Sequence, residues 1–311
     1  MAHDHHHHHG HGHGHAHAHG HGHDHGPVDT GDWRYLVGLV LNLGFVIAEF
    51  SAGIISGSTA LMADAGHNLS DVLGLALAGG AAWLARRAAS GPRTYGYRKG
   101  TVLAALGNAI LLLVACAWIG WEAVERLINP QPVASGWIIA VAGIGFFINL
   151  ATALLFLKDQ HKDLNVRGAY LHMMADAAVS LGVVAAGILI LFTGVSLIDP
   201  LISLVIVVVI LWSTWGLLKD SLNLALDAAP AGIEVEAVRR ALLDLPGVAA
   251  VHDLHVWGLS TTDAALTAHL VRSDAAPADL LTRAQKAAAG FGVSHTTFQI
   301  EDAAQADCPD C

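Results

Sequence analysis

Charge is what this chain has least of. Asp, Glu, Lys and Arg together make up 14% of its 311 residues, against about 25% in a soluble globular protein. Cysteine is almost as scarce. Of three, Cys116 lies inside an apolar run and Cys308 and Cys311 form the terminal "CPDC", too few for a disulfide scaffold. The formal net charge is −10 with histidine neutral, and no basic patch or nucleic-acid motif occurs, which points away from a nucleic-acid partner. The polar N-terminal stretch leaves no room for a secretory leader. HExxH is also missing, which removes the simplest zinc protease. What remains is 54% hydrophobic residues and a mean hydropathy of +0.50. That is the composition of a membrane protein with a soluble part.

Six apolar stretches, roughly 35–55, 60–84, 101–123, 136–157, 169–193 and 198–218, each have the length to cross about 30 Å of hydrocarbon as a helix. "GWIIAVAGIGFFINLATALLFL" carries no charge at all. Their short connections argue against buried strands and for membrane helices. Arg86, Arg87, Arg93, Arg98 and Lys99 lie between the second and third stretches, and Lys158, Lys162 and Arg167 between the fourth and fifth. The three opposite connections contribute only Arg126. Basic loops stay in the cytoplasm, so both termini are expected there, with the chain in the inner membrane.

After "LNLALDAAPAG" the pattern changes. Residues 234–245 read as an amphipathic helix ended by Pro246-Gly247,. Two β-patterned runs follow, 248–259 and 264–272, joined by "STTD",. A helix from Pro277 to about Phe291 and a last strand, "HTTFQIED", complete an αββαβ order. The expected organisation is therefore a His-rich arm (1–32), six membrane helices (33–220), a small cytosolic α+β domain of ferredoxin-like type (221–302) and a tail (303–311). The arm, residues 3–26, holds fourteen histidines among Gly, Ala and Asp. It has no apolar period and cannot build a core.

Charged groups inside a spanning helix are expensive and mark function by default. "ADAGHNLSDVLG" and "YLHMMADAAVSLG" both carry His-x-x-x-Asp: His67 with Asp71, and His172 with Asp176. Residues four apart share a helix face. If the two faces meet, the set is His₂Asp₂, which suits tetrahedral Zn²⁺. The plain alternative is a packing hydrogen bond within each helix. Imidazole argues against Mg²⁺ or Ca²⁺ and the lack of thiolate against Cu(I), leaving zinc ahead of cobalt, cadmium and nickel. Asp64, Glu49, Asn42, Asn108, Asn149 and Asp199 also lie in or at the ends of spans, where each lines a path or bonds a neighbouring helix. Cys116 reads as packing.

"ALMADAGHNLSD", "YGYRKGTVLAALGNA", "HMMAD" and "VHDLHVWGL" together resemble the cation diffusion facilitator family, specifically its zinc-exporting branch, over about residues 33–301. The resemblance implies a homodimer that exchanges cytosolic divalent metal for external protons across the bilayer. The transport site it implies is His67, Asp71, His172 and Asp176. In the soluble domain it implies zinc ligands at His252, His269, His295 and Glu301. Strand alternation expects His252 and His255 to point opposite ways, and a simple four-residue hairpin at "STTD" sets His269 diagonal to His252 on one face. His255 and Trp257 read as packing. Two thiolates at Cys308 and Cys311 need two further ligands for a closed zinc site, which the arm is long enough to supply. The loop between the second and third spans has no histidine, which counts against a further site there. A membrane-anchored zinc sensor or store, and a transporter of another substrate with the His/Asp sites serving only as proton relays, are the competing functions.

Overall fold

The computed structural model describes residues 33–85, 87, 89–157 and 164–302. The arm and the CPDC tail, with Cys308 and Cys311, lie outside the described residues. Six long helices come first: α1 (Trp33–Ser56), α2 (Thr59–Ala85), α3 (Gly100–Ile128), α4 (Ser135–Phe156), α5 (Leu164–Thr193) and α6 (Ile198–Ala225). Among the described residues, four segments, Gly100–Ile128, Ser135–Leu154, Tyr170–Thr193 and Ile198–Ala225, are long and apolar enough to cross a membrane. α3 and α6 run past the apolar windows because polar helical surface carries them on. In α3 the Arg126 guanidinium bonds Glu122 one turn back at 2.9 Å, an i,i+4 pair. α3 ends where Pro130 and Pro132 follow, since proline cannot continue the ladder. The residue-220 boundary expected from hydropathy falls inside α6.

α4 packs along α5 and α3 along α6, while α2 lies against α1 and α3. The shared core gathers Leu61, Leu112, Ile119, Ile138, Val183 and Ile210, with Cys116 among them as packing. Gly187 lets α5 approach α4 closely: a Cβ there would sit 2.9 Å from Ile139 Cγ1. Leu111, Phe147, Phe192 and Trp212 point outward, a surface that lipid covers and water does not favour.

The soluble part is α7 (Val235–Leu243), β1 (Val248–Gly258), β2 (Ala264–Arg272), α8 (Leu280–Ala289) and β3 (Val293–Asp302), the αββαβ order expected. β1 and β2 are antiparallel, and β2 and β3 parallel, in a sheet of order β1-β2-β3. Val238 and Leu242 of α7 and Ala284 and Ala288 of α8 pack on Leu266 and Leu270. The hairpin is not the simple one expected. Its loop runs over 259–263, closed by Leu259 N–H to the Asp263 carbonyl at 2.8 Å. Further along, a bulge at Asp253 and Leu254 shifts the register between His252 and His255. Thr101 of α3 joins the two parts of the chain, its hydroxyl oxygen accepting from Thr261 N–H of the hairpin loop at 3.1 Å, while Lys99 donates to the Leu224 carbonyl at 2.8 Å and to Asp227 at 2.6 Å at the end of α6.

Candidate metal sites

α2 and α5 bring the four intramembrane candidates together, and the pairing crosses between helices. His67 Nε2 lies 3.2 Å from Asp176 Oδ1, and His172 Nε2 lies 3.5 Å from Asp71 Oδ2. His172 Nε2 is also 3.6 Å from Asp176 Oδ2. The two imidazoles meet edge to face with centroids 6.4 Å apart. Bonds of 2.0–2.2 Å place the ligand atoms of a tetrahedral zinc about 3.3–3.6 Å from one another, close to the 3.2, 3.5 and 3.6 Å of these contacts. Ligand atoms of His67, Asp71 and Asp176 all lie within 4.8 Å of each other; His172 stands outside that group but contacts both of its aspartates. Asp176 is 3% exposed and Asp71 31%, so one carboxylate is buried and the other partly exposed.

Around this set are further polar groups. Glu49 and Asp64 are fully buried. Asn68 Nδ2 donates to Glu49 Oε2 at 2.9 Å and the Ser180 hydroxyl to Asp64 Oδ2 at 3.0 Å. Of the two roles open to them, bonding between helices is the one seen. Asn108 is buried, Asn149 half-buried and Asn42 exposed. Asp199 is buried among donors from the start of α2.

In the soluble domain the bulge decides the geometry. Together with the five-residue loop, it sets His252 directly opposite His269, rather than diagonal to it, with ring centroids 5.0 Å apart. Glu301 reaches both: Oε2 lies 2.9 Å from His252 Nε2 and Oε1 2.9 Å from His269 Nδ1. These three form a second group able to hold a metal ion. Because the bulge inserts one residue, His255 falls on the same face as His252, contrary to simple alternation. It is 65% exposed, so it does not pack. His255 Nε2 contacts Asp253 Oδ1 at 2.6 Å, and Asp253 Oδ2 lies 3.5 Å from His269 Nε2. The His255 contact, with smaller pulls from His269 and His252, holds the Asp253 carboxyl below the ordinary aspartate range. His295 is not brought to this group. It pairs in register with Ala265, and its ring meets Tyr95 edge-on at 5.5 Å. Glu301 is six residues further along the strand, about 20 Å at 3.3 Å per residue.

Residues 35–224 match the cation efflux transmembrane domain, and residues 230–303 match the cytoplasmic domain of cation efflux proteins. The chain belongs to the cation efflux family. It is 39% identical over 268 residues to the metal cation efflux system protein CzcD of Cupriavidus metallidurans, covering 85% of each chain. It is 40% identical over 233 residues to the zinc transporter ZitB of Escherichia coli, covering 74% of each. A cadmium, cobalt and zinc/H(+)-K(+) antiporter of Bacillus subtilis is 34% identical over 272 residues, 86% of this chain and 88% of that one. As a cation efflux protein, the chain is a multi-pass membrane protein with a cytoplasmic domain. Within it, Asp253 is the site neighbour that sequence reasoning missed. Its signal was slight: an aspartate between two β-patterned residues, one of the few types that tolerate the left-handed backbone (φ 49°) it adopts,.

Proposed function

We propose that this cation efflux protein is a proton-coupled antiporter that exports Zn²⁺ from the cytosol through His67, Asp71, His172 and Asp176. The observation that carries this reading is the crossed set of contacts at 3.2, 3.5 and 3.6 Å between α2 and α5. All six long helices span the inner membrane, both termini are cytoplasmic, and the ferredoxin-like soluble domain joins two copies into a homodimer. Co²⁺, Cd²⁺ and Ni²⁺ are secondary substrates, in keeping with the same donor set. His252, His269 and Glu301 hold a regulatory metal ion in the cytosolic domain, and the arm and Cys308 and Cys311 collect metal on the same side.

The coupling follows from the ligands. Moving a charge outward against a negative-inside potential costs about 2.3 kcal/mol per 100 mV, so a divalent ion needs about 4.6. Export therefore requires a second gradient. Zinc binds neutral imidazole, and protons compete for the same nitrogens. Protonation of His67 or His172 from the acidic exterior helps expel the metal, and those protons leave again on the cytosolic side. The test is zinc-driven proton movement in sealed vesicles carrying the purified protein beside its Asp176→Ala variant. Zinc-dependent proton flux by the wild type and none by the variant is expected. Zinc flux without proton flux would refute the coupling, and normal zinc flux by Asp176→Ala would refute the site.

A further inference from the structure

The turn between α1 and α2 is tied into a polar knot centred on Asp199, a residue of the first turn of α6. A helix start leaves backbone N–H groups without partners inside the helix, and here each one can be traced. Thr59 and Ala60 donate to Asp199 Oδ2 at 2.6 and 3.4 Å. Leu61 donates to the Ser58 hydroxyl oxygen at 3.0 Å, as at an ordinary serine N-cap. Met62 donates to the Ser58 carbonyl at 3.3 Å. Asp199 also accepts from both neighbouring hydroxyls, from Ser58 at Oδ1 and from Thr59 at Oδ2, the latter at 2.8 Å. In return, the Ser203 hydroxyl donates to the Thr59 carbonyl at 3.2 Å. The turn itself is held from two more helices. The Arg126 guanidinium of α3 donates to the Gly57 carbonyl, and Ala134, just before α4, donates to the Ser56 carbonyl at 2.9 Å.

Ser58 alone would cap α2. What Asp199 adds is attachment: a carboxylate 1% exposed, from a helix some 140 residues away in sequence, placed where the positive end of the α2 dipole favours an anion. It fixes the start of α2 in depth and in rotation. His67 and Asp71 follow Thr59 by eight and twelve residues, about 12 and 18 Å along the axis. A rigid helix carries any slip at its start to those ligands, and a binding constellation tolerates only about 0.5 Å of error.

We propose that Asp199 is a positioning residue for the transport site, which sets His67 and Asp71 against His172 and Asp176 by anchoring α2 to α6. The inference rests on the reading of the quartet as that site. Its test uses the full-length protein in detergent with Co²⁺ as the probe, taking as the quartet signal the d–d absorption that Asp176→Asn loses. Asp199→Asn keeps the size but puts an amide nitrogen, which cannot accept, in place of one oxygen. Thr59→Val removes one hydroxyl bond and leaves the backbone bond. For Asp199→Asn the expected result is about tenfold weaker Co²⁺ binding, as for loss of an outer partner, with altered band intensity. For Thr59→Val, about threefold is expected, the worth of one net hydrogen bond. In vesicles KM for zinc should rise in parallel while the rate at saturating zinc stays within about twofold. Parent-like affinity and spectrum with only a lower Tm would overturn the proposal, leaving Asp199 a stabilising cap. Should Asp199→Asn fail to fold, Thr59→Val decides alone, on the same criteria. Equal Co²⁺ spectra for the parent and Asp176→Asn would overturn the quartet reading, and this inference with it.

Discussion

Neutralising the two carboxylates of the quartet should have unequal effects, and the geometry ranks them. Asp176 contacts both imidazoles, at 3.2 and 3.6 Å, and is 3% exposed. Asp71 contacts one, at 3.5 Å, and is 31% exposed. Asparagine keeps the shape of either side chain but is a far weaker metal ligand. At position 71 water can reach the vacated place and complete the coordination. At position 176 it cannot. Loss of an outer hydrogen-bond partner alone weakens a metal site about 10- to 100-fold, so Asp176→Asn should weaken zinc by at least about 100-fold, or about 2.8 kcal/mol at 1.4 per decade. Asp71→Asn should stay near the lower end, about tenfold and about 1.4 kcal/mol. The assay is the initial rate of zinc entry into inverted vesicles across a range of zinc concentrations, read with a trapped fluorescent indicator. A KM ratio near unity between the variants, or a larger loss for Asp71→Asn, would refute the argument that burial and double contact set the order.

Three further outcomes follow from the soluble domain. His295→Ala should leave metal affinity at the cytosolic group unchanged, whereas Glu301→Gln should lower it at least about tenfold; competitive titration with a zinc chelator separates the two. Asp253 adopts φ 49°, which Asn and Gly both tolerate. Asp253→Asn and Asp253→Gly should therefore keep the bulge and the thermal unfolding curve, yet bind metal about tenfold more weakly because the carboxylate beside His269 is gone. Leu270 is fully buried in the sheet core, and Leu270→Ala should cost about 3 kcal/mol, seen as a lower urea midpoint for the soluble domain.

Much of the architecture was readable because it obeys local rules. The helices begin and end within a few residues of the apolar stretches, and the αββαβ order follows from periodicity broken by Pro246-Gly247 and "STTD". Where helices outran the expectation, as α6 does to Ala225, the extra turns are polar, and hydropathy reads lipid contact, not helicity. The soluble cluster was harder. Strand alternation fixes facing only while the ladder is regular, and one extra residue at Asp253 inverts every inference across it. The fifth loop residue and that insertion each shift the register by one, which together moved His252 from a diagonal to a direct neighbour of His269, and the insertion brought His255 to the same face. No turn-forming pair such as Asn-Gly marks the spot. His295 illustrates the converse: correct in type and correctly on β3, it stands too far along the strand to reach Glu301.

The crossed pairing in the membrane has a simple origin in chain direction. Within each helix the histidine precedes the aspartate by four residues. Had α2 and α5 run parallel, imidazole would face imidazole and carboxylate would face carboxylate, and with no metal the two acids would repel in a low dielectric. Run antiparallel, the same two motifs set His67 level with Asp176 and Asp71 level with His172. Every side chain of the set then has an opposite partner type across the gap, and His–carboxylate contacts hold its geometry. In the proposed exchange, the same contacts set proton against metal: the carboxylate that faces a protonated imidazole holds it, and zinc must displace that proton to use both. On the antiport reading, the repeated His-x-x-x-Asp set antiparallel on α2 and α5 is what lets proton and metal compete for one set of side chains.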